Sequence, residues 1–213
     1  MSSVIRGFKT QMLLALHKPF DVLSQFTPDV AGQRTLTECR LPKNVYPLGR
    51  LDRDSEGLLL LSDEAGLNTR LLDPKNNHPR TYWAQVDGEI DEPVLQKLRD
   101  GVVIEGQTTL PARAKVIFSG GTGVPPVTSP STTFLLLPRN PPIRFRKNIP
   151  TTWIELELRE GRNRQVRKMT AATGFPTLRL SRVRIGRFDL PPDLAPGQWR
   201  ELSAHERNLV MAR

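Results

Sequence analysis

Four consecutive leucines, Leu58 to Leu61, follow directly on ten mostly polar residues, Leu48-Gly-Arg-Leu-Asp-Arg-Asp-Ser-Glu-Gly57, and the run closes at Ser62 and Asp63. A short apolar stretch with no polar face predicts a strand buried on both sides. The loop before it is then anchored on a rigid element, as loops that hold chemistry usually are. It carries Arg50, Asp52, Arg53, Asp54 and Glu56 beside that strand. Spacing alone allows two readings: a solvated turn whose charges satisfy one another, or a functional site.

The rest of the chain predicts an α+β domain with a mainly antiparallel mixed sheet flanked by helices. Met12 to Leu16, Arg80 to Gly88, Val102 to Glu105, Ala112 to Phe118, Thr133 to Leu137, Thr152 to Arg159, Leu178 to Ile185 and Gln198 to Leu202 have strand character. Thr152-Trp-Ile-Glu-Leu-Glu-Leu-Arg159 alternates, which points Trp153 outward. Three helices are expected: one capped at Ser62 or Asp63 and closed by Pro74, one from Glu92 to Gly101, and one from Arg162 to Thr173. On the last, Arg164, Arg167 and Lys168 share a side. Strands outnumber helices without βαβ alternation. Ser119 to Ser131, rich in Gly, Pro and Ser, reads as a flexible insertion loop with no phosphate-binding pattern.

The net charge of +9 is localised. Between Arg139 and Arg187, 13 Lys and Arg face three acids, Glu155, Glu157 and Glu160, while the remainder has 18 basic and 19 acidic residues. A basic segment on a neutral body points to a polyanion, nucleic acid ahead of membrane, because no continuous basic amphipathic helix is present. One cysteine, Cys39, excludes an internal disulfide, and His17, His78 and His205 have no zinc-ligand spacing. No apolar run approaches the ~20 residues of a membrane span. With no signal-peptide pattern at the N-terminus, a cytoplasmic setting is expected. Asp52, Asp54, Glu56 and Gly57 mimic the start of a calcium loop, but Asp63 stands where a bidentate Glu is required and Leu60 falls inside the buried run.

Five stretches in order carry a more specific pattern. Gly49-Arg-Leu-Asp-Arg-Asp-Ser-Glu-Gly-Leu58 resembles the GRLDxDxxGL signature of the RNA pseudouridine synthases, in the branch that includes the small-subunit enzyme RsuA. Lys18-Pro-Phe-Asp-Val-Leu23 is similar to the KPxGVL segment, with Asp21 in place of glycine; Arg80 to Gly88 resembles KxYxVxVxG; Glu160 to Met169 resembles EGRNxQVRRM. Leu180-Ser-Arg182, Ile185-Gly186 and Gly197-Gln-Trp-Arg200 are similar to the closing motifs. Pro138 to Arg144, and the expectation of a single catalytic domain over residues 1–213 without an S4 domain, resemble members that act on the large ribosomal subunit.

The resemblance implies two subdomains around a central cleft and conversion of a uridine within ribosomal RNA, the large-subunit RNA in particular, to pseudouridine. It implies no metal and no other cofactor, and the working unit is expected to be a monomer. Asp52 takes the nucleophile's position, Tyr82 that of the tyrosine that stacks on the base, and Arg167 that of the guanidinium paired with Asp52. Leu180 matches the apolar wall of the pocket. Arg50, Arg53, Arg162 and Arg164 are expected to contact substrate, the last two from a helix start. A uridine stacked in RNA must be flipped out to meet Asp52. The alternative is a non-catalytic ribosomal-RNA-binding or chaperone protein using only the basic segment.

Overall fold

The computed structural model describes residues 11–119, 137–143 and 150–213. Seven strands form the main path of one sheet: β1 (Leu13–Lys18), β2 (Glu56–Ser62), β3 (Arg80–Asp87), β4 (Arg113–Ser119), β5 (Thr151–Leu158), β6 (Thr177–Ile185) and β7 (Trp199–Glu201). Their spatial order is β7-β1-β2-β6-β3-β5-β4, and two short strands, Tyr46–Pro47 and Phe188–Asp189, pair with β2 and β6. All pairings in this sheet are antiparallel except β2 with β6, which meet in parallel at Glu56 and Gly57. The helices are α1 (Leu67–Leu72), α2 (Glu92–Asp100), α3 (Gln165–Ala172) and α4 (Ala204–Met211). The fold is α+β.

Every residue of β2 is buried, and the leucine run is divided between two cores. Leu58 and Leu60 face a cluster with Leu13, Ala15, Trp83 and Trp153, whereas Leu59 and Leu61 face Leu14, Leu16, Leu36 and Val45. Alternation with period two sends neighbours to opposite faces, and each buried leucine contributes about 1.5–3 kcal/mol. The first cluster runs under the whole sheet. On the opposite face the core is split: one cluster belongs to the β1–β2 half, and another, with Ala84, Ile154, Leu156, Val166 and Leu180, to the β3–β5–β6 half. Tyr82 packs against both. The cleft lies at that split.

Between the halves, β2 and β6 share only the registered pairs Glu56–Ser181 and Gly57–Arg182. A Cβ on Gly57, whose φ is 101°, would lie 2.3 Å from the Arg182 carbonyl oxygen, so the close approach requires glycine. Glu56 and Arg179 close the seam with two hydrogen bonds of 2.9 Å, their side chains only 5% and 4% exposed.

Several local expectations are corrected. Trp153 is 1% exposed, because the continuous core covers the face assigned to solvent. Ser62 remains in β2, paired with Leu13 and Tyr46, so α1 begins five residues later behind Gly66 with no side-chain cap. The third helix begins at Gln165, because Gln165 Oε1 accepts from the Arg162 amide at 3.0 Å and its Nε2 donates to Glu160 at 2.7 Å, closing 160–164 into a turn. The C-terminal helix α4 was not anticipated, although Ser203 and Glu206 form a capping box at its start. The strand expected at Thr133–Leu137 and the loop at 119–131 lie outside the described residues, apart from Ser119, which ends β4, and Leu137.

Candidate active site

The segment entering β2 is held at every peptide. The Leu51 carbonyl accepts from Ser24 Oγ at 2.7 Å and the Asp52 carbonyl from the Ser55 amide at 3.0 Å. The Arg53 carbonyl accepts from the Asp21 amide at 2.8 Å, and the Asp54 carbonyl from an Arg167 Nη at 2.7 Å. Lys18 Nζ donates to the Ser55 carbonyl at 2.7 Å and to the Pro19 carbonyl at 2.8 Å. Lys18 is fully buried; loss of hydration pulls its ammonium down to about 8, against the opposing fields of Glu56 and Asp54. Five consecutive carbonyls with partners make a loop with little freedom, as a group that must be aimed requires.

The loop forms one wall of a cavity of about 520 Å³ at the split between the two cores, within the size range of small-ligand sites. Asp52, Tyr82, Leu180, Arg50, Arg53, Arg162 and Arg164 all line it, contributed by the loop, β3, β6 and the 160–164 turn. Leu23, Leu51, Leu158 and Val166 supply further apolar wall. Seven of the eight residues singled out in the sequence therefore converge on one space. Asp52 is 30% exposed on its side chain, open to an incoming group yet flanked by protein.

The eighth, Arg167, stands behind the loop and does not pair with Asp52 as expected. Its Nε lies 3.4 Å from Asp54 Oδ2, and one Nη also donates to the Thr177 carbonyl at 3.2 Å. Arg164 instead reaches the loop from the front. It grips Asp54 through two hydrogen bonds of 3.0 and 2.8 Å and sits 3.6 Å from Asp52. The reason is local: with α3 starting at Gln165, Arg164 takes a left-handed conformation with φ 52° that carries its side chain over the loop. Burial would raise the Asp54 carboxyl, but the Arg164 hydrogen bonds and the Arg167 and Arg164 charges outweigh it and hold Asp54 below its ordinary value.

The other arginines are engaged to different degrees. Arg162 donates to Glu160 at 3.1 Å and to the carbonyls of Gln107 and Thr108 at 3.3 and 2.8 Å, so it braces the turn rather than presenting free donors. Arg53 pairs with Asp21 at 2.6 Å, and Arg50 donates to Gln25 at 2.9 Å. Two buried lining residues, Arg80 and Arg182, were missed in the sequence. Arg182 is paired in register with Tyr82, contacts its side chain, and donates from Nε to the Leu58 carbonyl at 2.8 Å. Arg182 Nη2, Arg80 Nε and Ser55 Oγ are buried without a hydrogen-bond partner among the described residues, a cost of about 1–3 kcal/mol each. Arginines in strands read as outward-facing, so only the split core reveals these two as lining.

Among the described residues, no group of three or more His, Cys, Asp or Glu side chains is placed to hold a metal ion. No helix there is long and apolar enough to cross a membrane.

A family model described as RNA pseudouridylate synthase matches residues 12–172. A protein of Xanthomonas campestris named ribosomal large subunit pseudouridine synthase E is 49% identical over 190 residues, 89% of this chain and 94% of that protein. A protein of Vibrio parahaemolyticus with the same name is 48% identical over 194 residues, 91% of this chain and 75% of that one. A crystal structure of a pseudouridylate synthase superposes with a TM-score of 0.72 at 22% identity, covering 94% of this chain and 74% of its own, which establishes the shared fold. The chain belongs to the RNA pseudouridine synthase family.

Proposed function

We propose that this chain converts a specific uridine of large-subunit ribosomal RNA to pseudouridine, acting as a cytoplasmic monomer. The observation that carries the reading is that Asp52 and Tyr82 face one cavity from elements fixed independently of each other. The RNA assignment is supported by the names of the similar proteins and by the basic 139–187 segment.

In this reading the N1–C1′ bond of a flipped-out uridine breaks, the base turns, and C5 joins C1′ as its proton leaves and N1 regains one. The Asp52 carboxylate starts the bond breaking. Tyr82 stacks on the base and assists removal of the C5 proton, steadied by Arg182 beneath it. Leu180 and Val166 form the apolar wall. The arginines that line the cavity suit the carbonyl and phosphate oxygens of a nucleotide. Arg167 fixes the backbone that aims Asp52, and Arg164, Arg50 and Arg53 meet the RNA at the mouth. A pocket-free chaperone would need neither the aimed loop nor these donors.

The test is single-turnover formation of pseudouridine on ribosomal RNA from cells lacking the protein. Asp52→Asn is expected to abolish product while leaving RNA affinity within about twofold, and Tyr82→Phe to bind normally but lose about 10²–10⁴-fold in rate if its hydroxyl handles the proton. Product from pure Asp52→Asn protein would overturn the assignment.

A further inference from the structure

Outside the cavity, a second surface carries an aromatic ring among cations. A shallow groove of about 460 Å³ is lined by Phe26, Arg40, Leu41, Lys43, Val45 and Tyr46, among others. Tyr46 is 66% exposed on the short strand Tyr46–Pro47 at the sheet edge. The ring is presented to solvent in the same groove as the cations of Arg40 and Lys43. Among the described residues no carboxylate lies within 4.0 Å of either cation, and the nearby acid Glu38 is taken by Arg34 at 2.8 Å.

The groove lies close to the cavity along the chain. A depression lined by Ser24, Gln25, Pro47, Gly49, Arg50 and Asn68 shares Ser24, Gly49 and Arg50 with the cavity, and its Gln25 and Pro47 are the chain neighbours of the groove residues Phe26 and Tyr46. Arg50 lies four positions after Tyr46, so their Cα atoms are at most ~14 Å apart. We propose that the Tyr46 groove is a binding subsite for single-stranded RNA flanking the target uridine, with an unpaired base stacked on Tyr46 and phosphates on Arg40 and Lys43. Ring plus cations along a groove is the chemistry by which single strands are held with little sequence preference. Extruding a nucleotide costs stacking energy, and an aromatic platform on the flanking strand compensates part of it. The inference rests on the function proposed above.

The experiment uses the full chain and transcribed large-subunit ribosomal RNA, unmodified for affinity and 4-thiouridine-substituted for photo-crosslinking. Tyr46→Ala is expected to weaken binding roughly 5- to 150-fold, the range for loss of one base–aromatic stack, while Tyr46→Phe keeps it. Arg40→Gln with Lys43→Gln should lower the slope of log affinity against log salt by about 1.4. Crosslinks from the wild-type protein should fall on a peptide containing Tyr46. Urea unfolding of each variant at the wild-type midpoint excludes a folding defect. Unchanged affinity with Tyr46→Ala, or crosslinks that avoid residues 40–46, overturns the subsite. Asp52→Asn separates the two ideas: if it is inactive while Tyr46→Ala binds normally, the subsite falls and the function stands; if it turns over, the function reading falls.

Discussion

Two carboxylate–guanidinium systems stand side by side on one stretch of chain and behave oppositely. Glu56 and Arg179 meet inside the sheet seam, bidentate and out of water. Asp52 and Asp54, on the loop just before Glu56, meet Arg164 and Arg167 at the edge of the cavity, with the Asp54 side chain 38% exposed. The first pair has one geometry because both ions are desolvated and each is the other's main compensation. The second shares four charges among several distances, from 2.8 to 3.6 Å, and remains open to solvent and substrate. The deep pair fixes where the loop ends and β2 starts, and the shallow cluster is what an RNA phosphate can rearrange.

The largest expected effect on stability comes from breaking the deep pair. Arg179→Met strands Glu56 and should cost about 3–5 kcal/mol by urea unfolding, with much of it regained when Glu56→Leu is added. A loss no greater than that of Arg164→Met would erase the distinction between the two systems. Lys18, which holds the loop from below, comes next. Its folded value of about 8 lies below the ordinary 10.5. Between those pH values the unfolded chain binds the additional proton, so stability rises with pH there and falls back as pH drops through 8. The wild type should gain on Lys18→Met by up to about 3 kcal/mol over that window; a difference independent of pH would mean that the ammonium stays charged in the fold.

The smallest stability effect belongs to the shallow cluster. Arg164→Met should change unfolding free energy by less than about 1 kcal/mol, yet reduce turnover on the order of 10²-fold by releasing Asp54 and disturbing the aim of Asp52. The Asp54 carboxyl is held low, so its contribution is present above the ordinary carboxylate range and is lost as pH falls through its own value. In Arg164→Met that acid loss should begin at higher pH, as NMR titration of the carboxyl carbon would register.

Much of this was legible in the residues, for physical reasons. Leu58–Leu61 announced a strand covered on both faces because no partly exposed element accommodates four leucines in a row. The strand expected from Arg80 to Gly88 forms over Arg80–Asp87, and Tyr82 packs there with Ala84 and Val86. Trp153 was misassigned because a period-two pattern does not say whether the second face is also covered. The Ser62 cap failed because pairing with two strands outcompeted a local hydrogen bond. The Ser203-x-x-Glu206 box is a readable start signal, but α4 has little apolar periodicity to go with it. The exchange of partners between Arg164 and Arg167 was not legible: it depends on one left-handed residue, and arginine carries no sequence mark for that conformation.

The division of the leucine run between two cores gives this part of the chain a reading frame. Leu58 and Leu60 serve one face and Leu59 and Leu61 the other, so inserting a single residue after Gly57 would send each to the wrong side at once. Inserting two would restore the phase but displace the loop by about 7 Å along the strand, carrying Asp52 away from Tyr82. Between Asp52 and the leucines, length is therefore as constrained as chemistry. Variation in this site is expected as exchange of side chains on a spacer of fixed length, with insertions confined to segments that feed neither core.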